Sequence, residues 1–168
     1  PQTWRAIAEQ GNQSAPLQLR VNATQTTQAD LLARLQADGV QAQGFGEIGI
    51  ELARHGDVTR LPGYEAGHFS VQDAAAQLAV PLLLRGLPAD KPLRVLDACA
   101  APGGKTAHLL EYAQQNGLAL AVTAVEVDGL RAERITENLQ RLQLTGAQVE
   151  VADVLPFAEQ MQEEGRQF

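Results

Sequence analysis

The chain has 168 residues, a hydrophobic content of 45% and a formal net charge of −7. This length suits one large domain or two small ones, and no apolar run approaches the ~20 residues of a membrane span, so we expect no membrane partner. The acidic balance argues against a chain that grips a phosphate backbone by itself. The three histidines lack the spacing of metal ligands, so no metal is expected, and a single cysteine excludes an internal disulfide framework and fits a reducing cytoplasm.

The first 66 residues predict a helix followed by a small α+β domain. Residues 1–14 form the helix and a linker, with Trp4 as the anchor of this helix in the core. Residues 15–66 alternate strand and helix patterns. The elements predicted there are a half-buried strand at 17–21, a helix that follows Thr26 or Thr27 and ends at Gly39, and short strands at 40–43 and 48–52.

A connector rich in turn residues, 61–68, leads into the second part of the chain. Ser70–Asp73 resembles a helix capping box, so a helix is predicted to start there and to bury Val71 and Leu78 on one face. Pro81 is expected to kink or end that helix.

From residue 92 onward the pattern is strand, helix, strand, helix, strand. The predicted elements are strands at 93–96, 118–125 and 147–151, a helix at 106–114 and a helix capped by Asp128. The run at 118–125 is almost continuously apolar, which is typical of a strand buried on both faces in a parallel sheet. The alternation therefore predicts half of a doubly wound parallel sheet.

Residues 95–106 combine a buried strand, a tight turn and a helix N-terminus, which together offer backbone N–H groups to an anionic or carboxylate-bearing ligand. Three acids, Asp97, Glu126 and Asp153, are predicted at the carboxyl ends of the strands, where open parallel sheets bind ligands. Glu126, about 20 residues beyond the turn, is placed to accept two ribose hydroxyls, and Asp153 to reach a base amino group. The alternative is that such acids cap the helices that follow them.

Two nucleotide-binding motifs resemble this turn but fit it poorly. Gly104-Lys105-Thr106 matches the end of a P-loop, yet Cys99 stands where that motif needs a glycine. Pro102 interrupts the glycine spacing of a dinucleotide-binding turn. A P-loop-like nucleotide-binding protein stays an alternative, as does a non-enzymatic RNA-binding module built on residues 15–62, which the acidic balance disfavours.

The stretch from Asp97 to Thr106 resembles the cofactor-binding signature of the RNA 5-methylcytosine methyltransferases, and segments 17–22, 61–63 and 70–74 are similar to parts of the bacterial 16S rRNA members of Sun/Fmu type. The resemblance implies an α/β fold in which residues 67–168, the first half of an AdoMet-dependent methyltransferase Rossmann-like sheet, follow the small α+β domain. It implies S-adenosyl-L-methionine (AdoMet) as cofactor. The residues that it assigns to the cofactor are Cys99, Ala100, Ala101, Pro102, Gly103, Gly104, Lys105, Glu126 and Asp153.

The resemblance further implies that the full-length enzyme methylates C5 of a cytosine in 16S rRNA, its expected partner. Family members use two cysteines, one in a Pro-Cys motif and one in a Thr-Cys-Ser motif, and this sequence contains neither. We therefore expect no catalytic residue in this chain and no activity from it alone. Cys99 is interpreted as a small buried residue of the cofactor turn. Because the sequence does not contain the C-terminal half of the sheet, we expect a neighbouring chain to cover the open edge of the first strand.

Overall fold

The computed structural model describes residues 2–12, 15–53, 56–87 and 91–168. Two sheets organise these residues, one antiparallel with four strands and one parallel with three. Each sheet carries its own apolar core. Within the described ranges, every helix is too short or too polar to cross a lipid bilayer.

The first unit combines the antiparallel sheet with one helix packed on it. Its elements are α1 (Gln2–Gly11), β1 (Leu17–Val21), α2 (Gln28–Ala37), β2 (Ala42–Phe45), β3 (Gly49–Leu52), a 3-10 turn (Val58–Arg60) and β4 (Phe69–Val71). The strand order is β2-β3-β1-β4. Thr27 caps α2 by accepting the N–H of Asp30, as the sequence predicts, and Leu31 and Leu35 are buried on the face of α2 that packs on the sheet.

The second unit is a parallel sheet with helices between its strands. Its elements are α3 (Ala74–Gln77), α4 (Ala79–Leu84), β5 (Leu93–Asp97), α5 (Gly104–Asn116), β6 (Leu120–Glu126), α6 (Gly129–Arg141), β7 (Ala147–Val151) and α7 (Val154–Glu163). The strand order is β5-β6-β7, and both pairings are parallel. The predicted α/β alternation is confirmed, and α7 is an additional helix that the sequence analysis missed.

The predicted N-terminal helix exists as α1, but the role predicted for Trp4 is wrong. The Trp4 side chain is 62% exposed and Ile7 is 68% exposed, and neither residue belongs to the core of either sheet. The helical spacing of these residues is real, but the apolar face that it creates is largely exposed.

A short strand replaces the capping box predicted at Ser70–Asp73. Phe69–Val71 forms β4, which pairs with β1 and buries Phe69 completely. The helix therefore begins only at Ala74, and Asp73 makes no side-chain cap bond. Burial of one aromatic ring against a distant strand has overridden a local helix signal.

The burial predicted for this helix is also wrong. Val71 is 50% exposed and Leu78 is 59% exposed. The helix is interrupted at Leu78, between α3 and α4, and not at Pro81. Pro81 lies in the first turn of α4, where a missing N–H leaves no intrahelical hydrogen bond unmade.

Two expectations about the boundaries of the units remain predictions. β4 carries the small sheet past residue 66, where the sequence analysis ends the small domain, so the division into 1–14, 15–66 and 67–168 stays a prediction. In the described part of the chain β5 is an edge strand that pairs only with β6. Coverage of this edge by a neighbouring chain likewise stays a prediction.

Candidate functional site

The turn between β5 and α5 is held by backbone hydrogen bonds and by one glycine. The Ala100 N–H donates to the Val125 carbonyl of β6 at 3.1 Å, and the Gly103 N–H donates to the Ala100 carbonyl at 2.6 Å. Gly103 has a left-handed φ of 97°, and a Cβ there would lie 3.2 Å from Cγ2 of Ile135. Only glycine fits both the conformation and the space, so the turn has a fixed shape.

Two side chains fix the turn to its neighbours. The Thr106 hydroxyl donates to Oδ2 of Asp97 at 2.7 Å, which joins the end of β5 to the first turn of α5. The Asn138 amide of α6 donates to the Pro102 carbonyl at 2.8 Å. Gly103, the N-cap of α5, has no side chain with which to cap the helix, so the first N–H groups of α5 remain for a ligand.

The structure brings Glu126 directly to this turn. Its carboxylate lies at the end of β6, is only 1% exposed, and accepts the Ala101 N–H at 3.3 Å. It also accepts the Asp128 N–H at 3.3 Å and pairs with the half-exposed guanidinium of Arg131 at 3.3 Å. A buried carboxyl acceptor therefore borders the turn at the carboxyl ends of two adjacent parallel strands.

Asp153 has the helix-capping role that the sequence analysis gave as the alternative. Its Oδ1 accepts the Leu155 N–H at 3.0 Å at the start of α7, and the residue is exposed. Asp128 caps α6 in the same way, through the N–H groups of Leu130 and Arg131. The Ala152 N–H donates to the Glu126 carbonyl at 3.0 Å, so Asp153 lies one residue from a bond to the Glu126 backbone.

Cys99 is exposed, so its interpretation as a small buried residue is wrong. β5 ends at Asp97, and the chain re-enters the core only at Ala100, which is 4% exposed. Cys99 therefore stands on the rim of the site, as does Lys105, whose side chain is exposed on the first turn of α5.

Exposed apolar side chains adjoin the acids, and the sequence analysis missed them. Val127 and Leu130 follow β6, and Val151 and Leu155 flank Asp153; each is at least 60% exposed. Apolar residues immediately after strand-end acids were the available signal. Such a surface suits a flat, weakly polar ring.

The structure offers no metal site among the described residues, where no group of three or more potential ligands comes together. A cavity of about 620 Å³ lies away from the turn, between the β2–β3 hairpin, α3 and α5, and His108 lines it. His108 is 2% exposed and its Nδ1 has no hydrogen-bond partner. Burial, together with the nearby charge of Arg20, lowers the pKa of His108 to about 3, so the imidazole is neutral.

Buried polar contacts join the small sheet to α5 and α6. Arg20 of β1 is completely buried and forms an ion pair with Glu111 of α5 at 2.8 Å. Burial raises the pKa of the Glu111 carboxyl, and the charge and hydrogen bonds of Arg20 oppose that rise. The Asn22 amide donates to the carbonyls of Gly67 and Leu142, at the end of α6. The sequence predicts a half-buried strand at 17–21, but β1 is buried on both faces from residue 19 to 21, and Arg20 is therefore buried as well.

Two family models match the chain. The one described as 16S rRNA methyltransferase RsmB/F matches residues 85–168, half of the chain, and the one described as a RsmF/B-like ferredoxin-like domain matches residues 1–59. The chain belongs to the RsmB/F family of 16S rRNA methyltransferases. This confirms the family that the glycine-turn signature implied, and the ferredoxin-like unit followed by part of a methyltransferase sheet confirms the fold class.

Relatives of this RsmB/F chain extend well beyond it. Ribosomal RNA small subunit methyltransferase B of Vibrio cholerae is 44% identical over 155 residues, which are 91% of this chain and 34% of that protein. The chain thus spans about a third of the length of the curated relatives it matches. A methyltransferase homologue from Pyrococcus horikoshii has a TM-score of 0.74 at 27% identity, over 92% of this chain and 49% of that one. NSun6 from Pyrococcus horikoshii, solved with SFG, has a TM-score of 0.74 at 13% identity, over 86% of this chain and 59% of that one, and so shares the fold.

The site residues assigned in this RsmB/F chain remain predictions, although the fold places them near one another. Residues 99–103 lie in the turn and residues 104–105 begin α5, and Glu126 is hydrogen-bonded to the turn through Ala101. Asp153 lies at the next strand end along the sheet.

Proposed function

We propose that this chain binds AdoMet at the β5–α5 turn and supplies the cofactor-binding part of an enzyme that methylates a cytosine C5 in 16S rRNA. The buried Glu126 carboxylate, bonded to the Ala101 N–H of the turn, is the observation that supports this most. An acid in that place suits a ribose, because a carboxylate accepts two hydroxyls at once. With rRNA as its substrate, we expect the protein to act in the bacterial cytoplasm.

The residues present fit AdoMet in charge and shape. The uncapped N-terminus of α5 suits the carboxylate of the methionine moiety, because free N–H groups and the helix dipole both favour an anion. Gly103 lets the turn pack closely on α6, since a Cβ there would lie 3.2 Å from Cγ2 of Ile135, and this packing fixes the shape of the turn. Exposed Val127 and Val151 offer apolar surface for the adenine ring, with Asp153 beside it as acceptor for the amino group.

The roles of this chain's own residues are binding and orientation. The turn fixes the methionine end, and Glu126 fixes the ribose, so the cofactor would be held at two separated points. AdoMet, when bound, supplies an electrophilic methyl group. Cys99 is the only cysteine and lies in the turn, so we assign the nucleophile to the part of the enzyme that carries the family's Pro-Cys and Thr-Cys-Ser motifs.

Calorimetric titration of the chain with AdoMet and with ATP tests the proposal. We expect AdoMet to bind and ATP not to bind. Glu126→Gln should weaken AdoMet binding by about 10-fold or more, because hydrogen bonds to a charged group contribute roughly 1.5–3 kcal/mol. Glu137→Gln, which makes the same substitution at an exposed acid of α6, is the matched control and should leave the affinity unchanged.

Three results would contradict the proposal in different ways. Binding of ATP without AdoMet would favour the P-loop-like alternative. Equal AdoMet affinity in Glu126→Gln and in the unaltered chain would remove Glu126 from the site. Methyl transfer to RNA by the 168-residue chain would contradict the assignment of the nucleophile to other parts of the enzyme.

A further inference from the structure

Arg20 reaches from the small sheet to two positions on one face of α5, its first residue and its middle. Its Nε and Nη2 donate to the two carboxylate oxygens of Glu111 at 3.0 and 2.8 Å. Its Nη1 donates to the Gly104 carbonyl at 2.9 Å and to the side-chain oxygen of Gln72. The Arg20 guanidinium is completely buried, and four of its five N–H groups are engaged.

The two α5 contacts of Arg20 lie on the same side of the helix. Gly104 and Glu111 are separated by about two helical turns, so their positions share one face, and His108 lies between them on that face. Gly104 is the first residue of α5 and follows Gly103 directly. One side chain of β1 thus touches the residue at which the candidate cofactor turn becomes a helix.

We propose that Arg20 is a positioning residue for cofactor binding, which holds the first turn of α5 so that the β5–α5 turn keeps its binding geometry. This inference rests on the proposed function, and it gives the small domain a part in forming the cofactor site. The other tethers of the turn come from elsewhere: β6 holds Ala100, and α6 holds Pro102. Arg20 holds Gly104, the residue that follows the turn, from the small sheet.

The chemistry of the Arg20–Glu111 contact suits a role in orienting α5 better than a role in stabilising the fold. A buried ion pair is often no more stabilising than an apolar pair of similar volume, because both charges lose their hydration. An arginine fork, however, can bind a carboxylate with one edge while its remaining N–H groups bind a carbonyl, which fixes direction as well as distance. Lysine has the charge but not the planar fork.

The double variant Arg20→Met/Glu111→Met tests this, because it removes the tether without leaving a buried charge unpaired. Hydrogen exchange measured without ligand should quicken about 10-fold or more at the Gly103 and Ala107 amides. The Ala124 amide in the centre of β6 should be unchanged. AdoMet affinity, measured by calorimetry, should fall about 10-fold while the melting temperature stays close to that of the unaltered chain. Arg20→Lys should give an intermediate loss of affinity.

Asn22→Ala is the matched control, since it removes another contact between the small sheet and the second unit but none with α5. It should leave both the exchange at Gly103 and the AdoMet affinity unchanged. Unchanged exchange at Gly103 in the double variant would overturn the inference, and so would unchanged affinity in a chain that binds AdoMet. If the unaltered chain binds no AdoMet while the turn still loosens in the double variant, the proposed function fails and the positioning of the turn by Arg20 stands.

Discussion

His108 should make the stability of this protein fall as the solution becomes mildly acidic. The imidazole is buried and neutral, and its pKa of about 3 in the folded chain lies far below its ordinary value of 6.5. A base whose folded pKa is depressed contributes stability above its unfolded pKa, and this contribution is lost as the pH falls through 6.5 toward 3. The unfolded chain takes up a proton in that window, whereas the folded chain does not.

The size of this effect follows from the two pKa values. Between pH 8 and pH 5.5, linkage gives a loss of about 1.4 kcal/mol in the free energy of unfolding from His108 alone. His108→Leu removes the titrating group together with the unpartnered Nδ1. Since an unsatisfied buried polar atom destabilises by about 1–3 kcal/mol, the variant should be at least as stable as the unaltered chain at pH 8.

Urea unfolding at pH 8 and pH 5.5, followed by circular dichroism, measures the difference. The unaltered chain should lose about 1.4 kcal/mol more than His108→Leu between the two pH values. Burial and the nearby Arg34 also lower the pKa of His68, so both proteins keep a common residual slope in the same window. The variant His68→Gln measures how much of this remaining pH dependence of stability comes from His68. Equal pH dependence in the unaltered chain and in His108→Leu would refute the reasoning.

Three further predictions concern the glycine turn and the caps of two helices. Gly103→Ala should reduce the free energy of unfolding by about 2 kcal/mol or more, because Gly103 combines a left-handed φ with a close approach to Ile135. Gly117 has a left-handed φ but open space around it, so Gly117→Ala should reduce the free energy of unfolding by only about 1–2 kcal/mol. Equal reductions for the two variants in urea unfolding would contradict this. Asp128→Ala should reduce the free energy of unfolding by about 1 kcal/mol, because it removes the N-terminal cap of α6. An unchanged melting curve would show that the cap contributes nothing to stability. Asp153→Ala should reduce the free energy of unfolding by about 1 kcal/mol, because it removes the N-terminal cap of α7. It should also weaken AdoMet binding several-fold in calorimetry, and an unchanged affinity would remove Asp153 from the site.

The periodic parts of the chain were predictable from sequence. The apolar run of β6 indicates a strand buried on two faces, and β6 is buried from Val122 to Glu126. The glycine pair indicates a tight turn before a helix, and the structure has that turn between β5 and α5. Thr27 and Asp128 cap the helices that follow them, because a cap is a local bond between a side chain and the next turn of backbone.

The errors fall where distant contacts decide the structure. β4 has three residues, and its pairing with β1, about 50 positions away, outweighs the local helix signal at Ser70–Asp73. Arg20 occupies the polar position of an alternating strand, yet its side chain is buried among contacts with Gln72 and with α5, which are distant in sequence. Cys99 is small and follows a strand that the sequence predicts to be buried, yet β5 is only partly buried and the turn leaves the sheet before reaching Cys99.

The ion pair between Arg20 and Glu111 also limits how this protein can be recombined. Its two members lie 91 positions apart, one in each structural unit. A chimera that received the small domain from a donor without the arginine would bury a carboxylate with no counter-ion, at a loss of roughly 3–5 kcal/mol. Domain shuffling, in nature or in the laboratory, should therefore succeed only where both residues are inherited together. The two units have separate apolar cores, but the Arg20–Glu111 ion pair means that both must be inherited from the same parent.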